Sequence, residues 1–127
     1  MSAGTDAAVV LLVEEETHEL ETIRIYLEQE GFAVLASANS DDAMEHVETR
    51  PDIRAVITDA HVPGAIDGVD FARTICERWP GLALVMTSGH SDGKSGDVPP
   101  GAVFINKPNL LEYLGPTLRR LMDKRSG

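Results

Sequence analysis

A single α/β domain built on a parallel β-sheet is what this chain predicts, and three observations predict it. Strand-like and helix-like stretches alternate along the chain, the pattern of successive βαβ units. The strand-like stretches are continuous apolar runs, Val9 to Val13 above all, as expected of strands covered on both faces. Finally, the runs end in polar groups of complementary kinds. Val9 to Val13 leads into Glu14-Glu15-Glu16, Ala55 to Thr58 into Asp59, Leu82 to Met86 into Thr87-Ser88, and Val103 to Ile105 into Asn106-Lys107-Pro108. Open α/β sheets carry their chemistry beyond the carboxyl ends of such strands.

Taken in order, Val9 to Val13 is the first strand. Thr17 to Glu30 is the first helix, with Leu20, Ile23 and Leu27 at helical spacing and Gly31 as its stop. Phe32 to Ala36 is the second strand. Ser40-Asp41-Asp42 supplies an N-cap and an acidic first turn for a helix through Ala43, Met44 and Val47, closed by Pro51. Arg54 to Thr58 is the third strand. Val69, Ala72, Ile75, Cys76 and Trp79 mark one face of a third helix that Pro80-Gly81 ends. Leu82 to Met86 and Ala102 to Ile105 are strands four and five, and the last helix covers Leu110 to Lys124, with Gly115-Pro116 predicting a restart or a bend. Gly89 to Gly101 has Val98 as its single large aliphatic residue, so a loop is expected there, with at most a turn of helix.

The chain has 127 residues, enough for one core and too few for two. We expect a domain over 7–124 with flexible ends at 1–6 and 125–127. A formal charge of -10 argues against nucleic acid or anionic membrane as a direct partner, because both require a basic footprint. Proteins and cations fit better. Cys76 has no second cysteine to pair with, and Ala7 to Val13 is the longest aliphatic run, far short of the roughly 20 residues that span a bilayer. Met1 to Asp6 lacks a basic n-region, and the expectation is a cytoplasmic location. His18, His46, His61 and His90 show no zinc-ligand spacing with one another or with Cys76.

If the strands lie parallel in one sheet, carboxylates, a hydroxyl and an ammonium converge at one edge. Crowded carboxylates repel, so at least one should have a raised pKa, and a hard cation with oxygen ligands relieves the repulsion. Mg²⁺ suits such a site better than a soft metal. A cation and the Lys107 ammonium together would neutralise a phosphoryl group arriving at Asp59.

Glu14-Glu15, Asp59 with Pro63 and Gly68 after it, Thr87 and Lys107-Pro108 together resemble the receiver domain of two-component response regulators, over about Ala8 to Met122. The resemblance implies a flavodoxin-like three-layer sandwich with a five-stranded parallel sheet in order 2-1-3-4-5, in which the composition of Gly89 to Gly101 leaves the fourth helix short or disordered. It implies Mg²⁺ as cofactor and Asp59 as acceptor of a phosphoryl group from a histidine kinase or histidine phosphotransfer protein. It further implies Glu15 as a direct or water-mediated metal ligand, Glu14 as a supporting acid, the His61 backbone carbonyl as a further ligand, and Thr87 and Lys107 as contacts to the phosphoryl oxygens. Such a domain is a signalling switch, not an enzyme; standing alone, it would act through contacts with an unknown downstream protein.

Two features depart from the family pattern. Glu15 stands where the family usually has Asp, so the metal would sit farther out or be held through water, and with three glutamates in a row the register of the acidic pair could slip to Glu15-Glu16. Phe104 stands where the switch aromatic is often Tyr. A pseudo-receiver that binds a protein without phosphotransfer is the alternative that Glu15 and the degraded fourth helix favour, and a small phosphohydrolase is a more distant one.

Overall fold

The apolar runs become the strands of one sheet, and the helical patterns between them become its two covering layers. A computed structural model of the chain describes residues 7–89 and 98–126. In order these form β1 (Val9–Val13), α1 (Thr17–Gln29), β2 (Ala33–Ser37), α2 (Ser40–Thr49), β3 (Ile53–Asp59), α3 (Gly68–Arg78), β4 (Ala83–Ser88), β5 (Val103–Asn106), a 3-10 turn (Lys107–Asn109) and α4 (Leu110–Ser126). The sheet order is β2-β1-β3-β4-β5 with every pairing parallel, the flavodoxin-like arrangement. Residues 1–6, 90–97 and 127 lie outside the described residues, and with them falls most of the loop expected in place of a fourth helix.

Side chains of a strand alternate between its two faces, and the sheet divides its core accordingly. Val10, Leu12, Ala55, Ile57 and Val85 pack with Ile23 and Leu27 of α1 and with Leu114 and Leu118 of α4. Leu11, Val13, Val56, Leu84 and Met86 pack with Val47 of α2 and with Phe71, Ala72 and Ile75 of α3. Each large aliphatic side chain buried this way contributes about 1.5–3 kcal/mol. With both faces committed to apolar contact, polar chemistry is left the carboxyl edge of the sheet.

Local capping sets where each helix begins. Asn39, and not Ser40, caps α2: its side chain accepts from the Asp42 N–H at 2.8 Å. The Ser40 hydroxyl instead donates to the Ile66 carbonyl at 2.7 Å, tying α2 to the loop before α3. Asp67 caps α3 by accepting from the Asp70 N–H at 2.8 Å. α1 ends at Gly31, whose φ of +99° is the left-handed conformation that glycine adopts without a steric penalty. α4 does not restart at Pro116 but continues with that proline inside it. The preceding Gly115 N–H donates to the Tyr26 hydroxyl of α1 at 2.9 Å, which ties the two helices together at the proline. Among the described residues, no helix is long and apolar enough to cross a membrane.

Gly68, the first residue of α3, matters most for the site. A Cβ there would lie 2.1 Å from the Asp59 carbonyl oxygen and 2.7 Å from that of Ala60, so only glycine lets α3 close against the end of β3. The Gly68→Ala variant should therefore lose about 1–3 kcal/mol of stability through overpacking. Urea unfolding measures this, and an unchanged midpoint would contradict the close approach.

Candidate functional site

Parallel register brings the strand ends level. Val13 pairs with Thr58, Asp59 with Thr87, Thr87 with Ile105, and Ser88 with Asn106. The next residues along, Glu14 after β1 and Lys107 after β5, reach the edge where Asp59 ends β3. The Lys107 Nζ donates to Asp59 Oδ2 at 2.7 Å and lies 2.8 Å from Glu14 Oε1. It also pairs with Glu19 of α1. The remaining oxygens are held by backbone: Asp59 Oδ1 accepts from the His61 N–H at 2.9 Å, and Glu14 Oε2 accepts from the Glu16 N–H at 3.0 Å. Glu14, Asp59 and Thr87 are all buried.

Of the residues singled out by sequence, Asp59, Glu14 and Lys107 meet, with Thr87 on the adjacent strand level with Asp59. His61 contributes its N–H to Asp59. Glu15 does not join them. It is exposed and lies outside the carboxylate cluster that Glu14 forms with Glu19 and Asp59. The physical reason lies in the ladder: the Glu14 N–H still bonds to the Ser37 carbonyl at 2.9 Å, which keeps Glu14 in strand geometry and leaves Glu15 to turn outward. The Glu16 side chain is the N-cap of α1, accepting from the Glu19 N–H at 2.8 Å.

Glu19 is the residue that sequence reasoning missed. The structure shows why it was hidden: Glu16 caps α1, and in a capping box, where Ser or Thr is the cap, the side chain three residues on turns back to the cap's N–H. Here Glu14 already occupies that N–H. The Glu19 carboxylate turns to Lys107 instead.

One ammonium among three carboxylates leaves the edge with a formal charge of -2. Burial pushes the Glu14 carboxyl above its ordinary value, against the opposing pull of the Lys107 hydrogen bond. Burial acts in the same upward sense on Asp59, but hydrogen bonds from Lys107 and the His61 N–H outweigh it and hold that carboxyl below its ordinary value. Burial alone would lower Lys107; hydrogen bonds to Asp59, Glu14 and Glu19 raise it instead, and it stays an ammonium. The anticipated carboxyl with a raised pKa is therefore Glu14. The donor set is all oxygen, with carboxylate atoms of Glu14, Glu19 and Asp59 within 4.8 Å of one another, and that chemistry fits Mg²⁺.

A doubly wound parallel α/β domain whose acidic, lysine-bearing cluster lies at the carboxyl edge of its sheet is the class that fold and site define. The family model of the response regulator receiver domain matches residues 10–99, and the chain belongs to that family. It is 30% identical over 122 residues to the hydrogenase transcriptional regulatory protein HoxA of Cupriavidus necator, which covers 91% of this chain and 24% of that protein. It is also 34% identical over 82 residues to a response regulator NtrX-like protein of Rickettsia felis, covering 64% of this chain and 17% of the other. The chain thus spans a quarter or less of the length of these relatives. A receiver protein structure from Sinorhizobium medicae superposes with a TM-score of 0.86 at 26% identity, covering 95% of this chain and 98% of that one. Receiver domains are signalling modules.

The raised Glu14 pKa has a consequence for stability. Its carboxyl binds a proton more readily folded than unfolded, so folding stability contributed by this group falls as pH rises from the ordinary value of 4.5 through the folded value. In metal-free buffer, Glu14→Gln should therefore gain stability relative to wild type as the pH rises from 4.5 towards 7. Urea unfolding across that range tests it; a variant less stable at pH 7 than at low pH, relative to wild type, would contradict it.

Proposed function

We propose that this domain is a phosphoacceptor receiver in a two-component phosphorelay, taking a phosphoryl group on Asp59 from a phosphohistidine on a kinase or phosphotransfer protein. The observation that carries this is the buried Asp59 held 2.7 Å from the Lys107 ammonium at the open edge of the sheet. The carboxylate is kept ionised by Lys107 and by the His61 N–H, and so keeps the lone pairs a nucleophile needs. One Asp59 oxygen attacks phosphorus as the P–N bond to the donor imidazole breaks. Lys107 follows the charge, exchanging a carboxylate partner for a phosphoryl oxygen, and the Thr87 hydroxyl donates to another. Glu14, Asp59 and the His61 carbonyl would hold Mg²⁺, which when bound supplies positive charge against the phosphoryl oxygens. What remains for the protein is positioning and electrostatics.

The output would pass through protein contacts to a downstream partner, in a cytoplasmic setting. HoxA, a relative, is a longer transcriptional regulatory protein. One observation favours the pseudo-receiver reading, in which the fold binds a partner without phosphotransfer: Glu15 is exposed at a position where the family places a metal ligand.

Intact mass after incubation with Mg²⁺ and acetyl phosphate separates the two. The receiver reading expects one added phosphoryl group, none without Mg²⁺ and none in Asp59→Asn. Unmodified wild-type protein under conditions that leave it folded would favour the pseudo-receiver.

A further inference from the structure

We propose that Glu19, on the first turn of α1, supplies the third carboxylate of the divalent-cation site, in the place that the sequence pattern gives to Glu15. The inference rests on the receiver reading above and deepens it.

Three observations carry it. Glu19 offers a carboxylate oxygen within 4.8 Å of those of Glu14 and Asp59, whereas Glu15 is exposed and outside this group. Next, the cap of α1 releases Glu19 for the task. Glu16 caps the helix through the Glu19 N–H, but the reciprocal bond from Glu19 back to the Glu16 N–H is replaced by one from Glu14 Oε2 at 3.0 Å. The side chain of Glu19 is thereby free of its ordinary capping partner and reaches Lys107. Last, charge balance favours it. Glu14 and Asp59 with Lys107 sum to -1, half of what a divalent cation needs for neutrality; Glu19 brings the sum to -2. A hard cation selects sites by the number and charge of their oxygen ligands.

Glu19 also has the freedom to follow a cation. Its side chain is 44% exposed, against 4% for Glu14 and 10% for Asp59, so it can change rotamer without disturbing the core. In the resting state it holds Lys107. A divalent cation entering the cluster competes with the ammonium for this carboxylate, which can turn to the metal while Glu14 and Asp59 keep Lys107.

Calorimetric titration of the full chain with MgCl₂, with no phosphodonor present, tests the assignment. Glu19→Gln should weaken Mg²⁺ binding by about tenfold or more, and Glu15→Gln by less than about twofold. To separate direct action on the metal from action through Lys107, the Glu19→Gln change is repeated in a Lys107→Met background. A loss that persists there supports the assignment. If the loss vanishes in that background, or if Glu15→Gln costs more than Glu19→Gln, the assignment is overturned. Wild-type protein that binds no Mg²⁺ would overturn the receiver reading itself, and this inference with it.

Discussion

Lys107 places its ammonium among carboxylates that arrive from three separate parts of the fold: Glu14 just past β1, Glu19 on α1 and Asp59 at the end of β3. Two of these carboxylates would not be stable at their positions alone. Glu14 and Asp59 are buried where an ionised carboxylate without a partner costs several kcal/mol. The lysine makes their burial tolerable, and its own burial is tolerable because of them. One positive charge against three negative ones also leaves the edge under-neutralised. The site is stable enough to form and charged enough to want a further cation.

The rest of the architecture serves to bring these groups to one place. Two apolar layers cover both faces of the sheet, so charged residues can meet only at its carboxyl edge. Parallel register sets Asp59 beside Thr87 and Ser88 beside Asn106, which fixes the point from which Lys107 departs. Gly68 lets α3 begin directly against the Asp59 carbonyl, so the end of β3 is supported from behind as well as from its flanks. Tyr26 joins α1 to α4 at Gly115 and so links the helix that carries Glu19 to the one that follows Lys107.

Much of this was legible in the sequence because it depends on patterns of fixed period. Continuous apolar runs gave strands buried on both faces, and polar residues at their ends marked the edge where Asp59, Glu14 and Lys107 meet. What was not legible depends on competition between near-equivalent groups. Three successive glutamates all look suited to the metal; only the Glu14 N–H bond to Ser37 decides that Glu14 stays in the strand while Glu15 turns away. Asn39 and Ser40 are both good caps, and Asn39 wins because the Ser40 hydroxyl is drawn to Ile66. Glu19 was hidden for a related reason: its spacing from Glu16 reads as ordinary helix capping until Glu14 is seen to hold the N–H it would have used.

The claim that this edge is an under-neutralised cation site is tested most directly by unfolding free energy as a function of MgCl₂, for wild type and Lys107→Met. A ligand that binds the folded state alone stabilises it by RT ln(1 + [L]/Kd). We predict that Mg²⁺ stabilises both proteins, and that the rise begins at lower Mg²⁺ in Lys107→Met, whose carboxylates have lost their internal counter-ion. Unfolding free energies independent of Mg²⁺ in both proteins would contradict the account.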